Sequence, residues 1–381
     1  MIERIFSKQN VLLVFLILCL SLPRSLQIYK YFALAILVIH FVKNFRIKKS
    51  YLTYVVVLLG IFIVPLLIGV LYNNEAKYII GSLKSNILFP IGIMTILQCY
   101  TKLEILAILQ KASRISLIII LVILLSTVLN AFHLFPYNFN EFFYPEETHS
   151  RITGGYFHFI NSSLSYLIFI IPLVFIPRSK NKITIIVFVL LLVVVILTGR
   201  RILVLPFLVV LVYEWKRFAL PLLVFLACLA LPQTNKIIDT QIVSERFVNA
   251  INSKGDSNVK AEQSEFFVKN IIRKPLFGYG LGSYMKEYTR NDEYQTAYER
   301  SFHYQVFSLG IIFTFMLWFF YAYLSISVYT NNNIYIGFIL GIVSLLMSSY
   351  TNPYWLSSFD YCIPLALLMR FAQNECYGES V

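Results

Sequence analysis

Long uncharged apolar runs constrain this chain more than any other feature. Tyr51–Tyr72, Ile115–Leu134 and Phe302–Val328 contain no Asp, Glu, Lys or Arg. A hydrocarbon core about 30 Å thick is crossed by roughly 20 apolar residues in a helix, so each of these runs reads as a span. Further candidates lie at 10–24, 27–42, 86–100, 156–177, 183–198, 201–213, 218–232, 334–350 and 359–371, about twelve spans in all. No strand-like alternation is long enough for a barrel. Backbone groups in lipid must be satisfied internally, which leaves helices. The expected fold is therefore all-α, a polytopic membrane helical bundle. Residues 1–232 supply nine spans, 233–300 one large extracytoplasmic helical loop, and 301–381 three more spans and a short tail. Composition agrees: 58% of residues are hydrophobic and 13% charged, against roughly 45–50% and 25% in soluble domains. A soluble chain this apolar could not cover its surface, and 33 Phe with 26 Tyr exclude a disordered one.

The net charge of +13 raises the question of a nucleic-acid partner, but such proteins carry dense basic patches. Here the charge is sparse and follows topology. With the N-terminus inside, the short inside segments hold 15 Lys and Arg, including Lys43, Arg46, Lys48, Lys49, Arg178, Lys180 and Lys182, and the short outside segments hold seven. That bias places both termini in the cytoplasm. No small-residue cleavage site follows the first apolar stretch. The five cysteines, Cys19, Cys99, Cys228, Cys362 and Cys376, support neither a disulfide framework nor a CxxC metal site.

The chemistry is expected on the outside. In 233–300, the segments 239–252 and 258–273 have helical spacing, and Phe266, Phe267 and Ile271 would make the apolar edge of the second, with Glu262, Glu265 and Lys269 elsewhere. Gly278, Gly280 and Gly282 alternate in Pro275-Leu-Phe-Gly-Tyr-Gly-Leu-Gly-Ser283. Such a string reads as a tight turn that docks the loop, or as a backbone cradle for a lipid-linked phosphate. His303 lies where the chain re-enters the membrane, and Glu299, four residues earlier, would share its helix face and orient the imidazole. Arg200 and Arg201 interrupt an apolar stretch on the side where the charge rule disfavours them, and Arg151 is a third outer arginine, before the span at 156–177. Arginines kept there suit an anionic ligand, most simply a phosphate.

These residues, in this order, resemble the bacterial O-antigen ligase and repeat-unit polymerase (Wzy-type) superfamily over most of the chain. Arg151-Ile-Thr-Gly-Gly-Tyr-Phe157 followed by Asn161 is similar to that family's arginine–glycine–aromatic–asparagine stretch. Thr198-Gly199-Arg200-Arg201 resembles its Thr-Gly-Ser-Arg hairpin, with Arg200 in place of the small residue. Pro275–Ser283 resembles its most recognisable string, His303 the histidine leading into a span, and Thr351-Asn-Pro-Tyr354 a stretch near the end of the polymerases. Tyr304 stands where the family usually has Asn.

The resemblance implies a metal-independent, inverting glycosyltransferase at the outer face of the bacterial cytoplasmic membrane, with no cofactor. Donor and acceptor would be glycans on undecaprenyl diphosphate, polymerised into O-antigen, capsule or exopolysaccharide alongside a flippase and a chain-length regulator. His303, Arg201 and Glu299 are the expected catalytic residues. Arg200, Arg151, Arg273, Asn161, Gly278, Tyr279 and Gly280 are the expected contacts to diphosphate and glycan. The first outside loops hold one acidic residue, Glu75, which favours the metal-free chemistry. The competing readings are a ligase that transfers glycan to lipid A core and a lipid-linked oligosaccharide flippase.

Overall fold

The computed structural model describes residues 7–23, 25–43, 49–131, 133–144, 151–153, 156–158, 164–176, 182–197, 201–218, 257–285, 298, 301–331, 336–349 and 362–373. Asn161, Arg200, Glu299, the expected span at 218–232 beyond Phe218, the expected loop helix at 239–252 and the stretch 351–354 lie outside them. In chain order the helices are α1 (Lys8–Ser21), α2 (Gln27–Lys43), α3 (Lys49–Leu71), α4 (Ala76–Leu83), α5 (Phe89–Leu97), α6 (Lys102–Ala131) and α7 (Phe139–Phe143). Strands β1 (Arg151–Thr153) and β2 (Tyr156–His158) follow, then α8 (Leu164–Phe175), α9 (Lys182–Leu197) and α10 (Leu205–Tyr213). The remainder are α11 (Ser257–Arg273), α12 (Ser301–Asn331), α13 (Ile336–Ser349) and α14 (Cys362–Ala372).

The architecture is helical. Among the described residues the departure is one antiparallel hairpin, with Arg151 opposite His158 and Thr153 opposite Tyr156. Three-residue strands are too short to register as alternation, so this segment reads in the sequence as the entrance to a span. Among the described residues four helices are long and apolar enough to cross a membrane: Ser50–Leu71, Ala76–Leu97, Lys102–Asn130 and Phe302–Thr330. The protein is thus a helical membrane protein by the length and composition of these elements.

Local chemistry sets several boundaries. Thr101 and Glu104 form a reciprocal cap at the start of α6: the Thr101 amide donates to the Glu104 carboxylate at 2.9 Å and the Glu104 amide to the Thr101 hydroxyl at 3.2 Å. The span expected at 86–100 instead begins at Ala76. α4 and α5 are joined through a π-turn, Lys84–Leu88, into one continuous helix. Pro90 follows that turn directly. Proline removes one i→i−4 bond and crowds the preceding turn, and a widened π-turn relieves both without ending the helix. Lys77 and Lys84 hide this continuity in the sequence, because they stand within its first turns.

The chain forms two compact units. In the first (Met1–Leu34, Ala107–Ser257, Ile336–Leu345), α8 is its most enclosed helix, with Tyr166 through Ile171 all fully buried. Gly337 and Gly341 of α13 lie against the α8 backbone and the Phe169 ring, and Phe169 meets Phe338 edge-on at 5.7 Å. Phe175 and Phe188 pack edge-on at 5.1 Å between α8 and α9. Arg201 opens a short 3-10 turn, Arg201–Val204, that leads into α10. A single apolar span at 201–213 is therefore a turn followed by a short helix.

The second unit (Ala35–Leu106, Asn258–Tyr335, Leu346–Val381) contains α3, the α4–α5 helix, α11, α12 and α14. Its base is tied by Arg370, which is 1% exposed. Its guanidinium donates to the carbonyls of Leu97 (3.2 Å) and Tyr100 (2.7 Å), at the carbonyl end of α5, which is partially negative. Tyr54 donates to the Ala372 carbonyl at 3.1 Å, joining α3 to α14.

The run 302–328, uninterrupted in the sequence, is broken in space. Gly310 has φ 75° and ψ 169°, a conformation essentially reserved for glycine. A Cβ there would lie 2.5 Å from the Phe277 carbonyl carbon. Gly310→Ala should therefore cost about 1–3 kcal/mol from backbone strain alone, with the clash added. The expected result is a lower thermal midpoint in detergent and a loss of monodisperse protein; an unchanged midpoint would contradict this geometry.

Candidate functional site

Breaking α12 at Gly310 frees carbonyls on one side of the break and amides on the other. The glycine-rich loop after α11 takes up both. The amides of Tyr279 and Gly280 donate to the carbonyls of Phe307 (2.9 Å) and Ser308 (2.8 Å). The amides of Ile311 and Ile312 donate to Pro275 (2.8 Å) and Leu276 (3.3 Å). The Leu281 amide then reaches the Pro65 carbonyl on α3 at 2.9 Å, and the Ser308 hydroxyl donates to the Gly280 carbonyl at 3.0 Å. Gly280, with φ 82°, lies directly against the backbone of Gly69 on α3, where any side chain would collide. The Gly278 amide is also engaged, by the Lys274 carbonyl at 3.2 Å.

With the amides of Gly278, Tyr279, Gly280 and Leu281 all donated to protein carbonyls, a phosphate cradle built from them does not fit this structure. The docking turn does: the alternating glycines allow a loop backbone to lie against two helix backbones at once. Asn74, between α3 and α4, pins the same turn by donating to the carbonyls of Tyr279 (3.0 Å) and Leu281 (2.9 Å). Nothing local pairs Asn74 with a segment two hundred residues away, although a pair of asparagines straight after an apolar run marks a turn.

The apolar edge expected on α11 forms. Phe267 is fully buried with Met285, Tyr298 and Phe307, and Phe266, Ile271, Tyr279 and Tyr304 pack around them. The Tyr279 and Phe307 rings stack at 4.6 Å, and Phe267 meets Tyr298 edge-on at 4.9 Å. Tyr298 accepts the Met285 amide at 2.8 Å, and burial pushes its hydroxyl pKa up to about 12. It stays protonated at any physiological pH and fastens the end of the loop.

His303 sits at the edge of this cluster, half-buried, one turn into α12. Its ring lies 6.4 Å from Phe267 and 6.2 Å from Phe302. Because α12 starts at Ser301, the helix-face pairing expected with Glu299 falls outside the described residues. Arg273 ends α11 with its side chain exposed. Lys274 is more enclosed: its ammonium stands 3.5 Å from the centre of the Tyr72 ring and 4.6 Å from that of Tyr279.

Glu75 has a role the sequence did not suggest. Its carboxylate accepts the Tyr284 hydroxyl at 2.7 Å and lies 3.1 Å from the Lys77 ammonium. The hydrogen bond to Glu75 raises the Tyr284 pKa. The Tyr78 ring abuts Tyr284 edge-on at 5.5 Å. A carboxylate, an ammonium and two phenol rings thus line one edge of the docked loop.

The expected site residues divide between the units. His303, Arg273, Gly278, Tyr279 and Gly280 belong to the second; Arg151, in β1, and Arg201, in the 3-10 turn, belong to the first. Among the described residues no three His, Cys, Asp or Glu side chains gather as a metal site would require. No family model and no curated protein matches the chain.

Tyr298→Phe should leave the buried Met285 amide unpaired at a cost of about 1–3 kcal/mol. Limited proteolysis of the detergent-solubilised protein should then cut faster within 274–300, while helical circular dichroism stays the same. Unchanged cleavage would show that this hydrogen bond does not hold the loop.

Proposed function

We propose that the chain is a membrane glycosyltransferase that joins undecaprenyl-diphosphate-linked oligosaccharide repeat units at the outer face of a bacterial cytoplasmic membrane. The observation that carries this reading is the order and topology of four sequence features: Arg151 before a span, Arg200-Arg201 in an outer break, the string Pro275–Ser283, and His303 at the head of the next long helix. Two structural facts support it. The string and the histidine are physically joined, since the loop closes the break in the helix that carries His303. Arg201 starts a short 3-10 turn rather than standing inside a helix.

In this reading the spans number about twelve, both termini are cytoplasmic, and 233–300 is an extracytoplasmic loop. Arg201 and Arg200, with Arg151, hold the donor diphosphate through charge-assisted, bidentate bonds that neutralise the charge growing on the leaving diphosphate. The His303 imidazole takes the proton of an acceptor sugar hydroxyl. The resulting oxygen forms a bond to the anomeric carbon, the bond from that carbon to the phosphate oxygen breaks, and undecaprenyl diphosphate departs with the electron pair. One displacement inverts the anomeric configuration. His303 is suited to this because its ring is held by neighbouring aromatic rings while remaining partly exposed.

The test is chain growth in liposomes containing purified protein and a lipid-linked repeat unit. Elongated glycan supports the reading. Glycan moved between leaflets with no new bond would mark a flippase, and transfer only to lipid A core a ligase. Arg201→Ala should lower turnover about 100-fold or more, with Arg201→Lys a poor substitute because lysine lacks the planar fork. His303→Gln should lower it about 100-fold with normal membrane insertion. Full activity in either would remove that residue from the mechanism.

A further inference from the structure

The break at Gly310 also says where the membrane surface lies. Before it, from Phe302 to Gly310, α12 exposes no large apolar side chain. Directly after it exposure begins, with Ile311 and Ile312 at 37%, Phe315 at 71% and Phe319 at 76%. From Ile311 to the end at Asn331 the helix is roughly 30 Å long at 1.5 Å per residue, the thickness of a hydrocarbon core. α3 agrees from the other side of the loop. Its exposed apolar surface continues to Leu71, 76% exposed, and it meets the loop at Gly69. Both helices therefore cross the apolar boundary at the level of the docked loop.

That loop and the end of α11 carry an apolar strip that no described residue of the unit covers: Val268 (47% exposed), Ile272 (71%), Leu276 (54%) and Phe277 (49%). Val268 and Ile272 are one helical turn apart, on the side away from buried Phe267. The strip is continuous with the lipid-facing surface of α12. Phe277 packs on Phe313 at 6.2 Å, and the Ile312 amide donates to Leu276. Cations border it: Lys269 and Arg273 are exposed, and Lys274 lies over the Tyr72 ring at the end of α3. Apolar side chains beside basic residues and an amphipathic tyrosine are the composition of a segment lying in a membrane interface.

We propose that Val268, Ile272, Leu276 and Phe277 insert into the adjacent bilayer leaflet while Lys269, Arg273 and Lys274 meet its anionic headgroups. The occupant is lipid rather than a protein partner, because the strip extends a surface that is already lipid-facing and its rim is mainly basic, with three cations against one exposed carboxylate, Glu265. The loop after α11 is thus an interfacial anchor, and the part of α12 ahead of Gly310 stands clear of the hydrocarbon. His303, seven residues before Gly310, is held by roughly 10 Å of helix beyond the boundary. A reacting group at that height meets the headgroup of a lipid-linked substrate, not its tail. The anchor itself rests on the membrane character of the helices and not on the glycosyl-transfer reading.

Single-cysteine variants of the full chain test it. With the native cysteines replaced by alanine, Ile272→Cys, Leu276→Cys and Phe277→Cys are labelled with an environment-sensitive fluorophore in phosphatidylcholine–phosphatidylglycerol vesicles. Lipid doxyl-labelled near the headgroup should reduce emission at all three at least twofold, with iodide nearly without effect. Lys77→Cys, whose parent side chain is 63% exposed, should show the reverse. Strong iodide quenching at 276 and 277 would overturn the proposal, and so would emission untouched by either quencher, which would mean a protein cover. If the cysteine-free protein does not fold, Phe277→Trp in the native background replaces it. Emission beyond that of the parent should then be quenched by brominated lipid, and additional emission insensitive to brominated lipid would overturn the proposal. Loss of glycan polymerisation with lipid quenching intact would refute the enzymatic reading and leave the anchor standing.

Discussion

The second unit depends on an exchange of backbone hydrogen bonds between two chain segments. A helix interrupted at the edge of a membrane exposes peptide groups that lipid cannot satisfy, each at a cost of several kcal/mol. The interruption at Gly310 persists because Pro275–Gly280 donates to Phe307 and Ser308 and accepts from Ile311 and Ile312. Neither segment is stable in this form without the other. The loop has no regular structure of its own beyond turns, and the helix would close its own bonds if the loop were absent. The exchange also couples the position of the loop to the direction of the helix that carries His303.

Close approach is what the glycines contribute. Gly280 and Gly69 bring the loop against α3, and Gly310 admits the loop into α12. Around this contact the fastenings are layered by chemistry. Asn74 holds the turn through two carbonyls, the Phe267–Tyr298–Phe307 cluster seals one side with apolar area, and Glu75 with Tyr284 supplies a polar tie at the rim. Charge at the opposite end of the unit is spent differently. Arg370 is buried and neutralises the carbonyl end of α5, so a residue that contributes to the positive-inside bias in the sequence is also a structural cap.

How much of this was legible depended on whether the signal was local. The apolar runs locate the helices well because length in lipid is a local requirement. The edge formed by Phe266, Phe267 and Ile271 was legible for the same reason, as spacing on one helix. The break in 302–328 was not, since the run stays apolar through Gly310, and a lone glycine in such a run signals neither kink nor continuation. The π-turn at Lys84–Leu88 was hidden behind two lysines. The glycine string announced an unusual backbone but left two uses open, and only the destination of its amides chose between them.

The sequence by itself determined that the chain is a helical membrane protein, because no soluble surface can be made from this composition and its apolar runs lack the alternation of a barrel, the other backbone arrangement that survives in lipid. It also determined which residues carry charge or imidazole where both are scarce, and so which were worth examining. The tertiary structure decided what the glycines are for, that α12 is two helices in series, and that His303 belongs to the same packed body as the loop that precedes it. These outcomes rest on contacts between segments far apart in the chain, and an amide's partner is a property of the fold rather than of the residue that bears it.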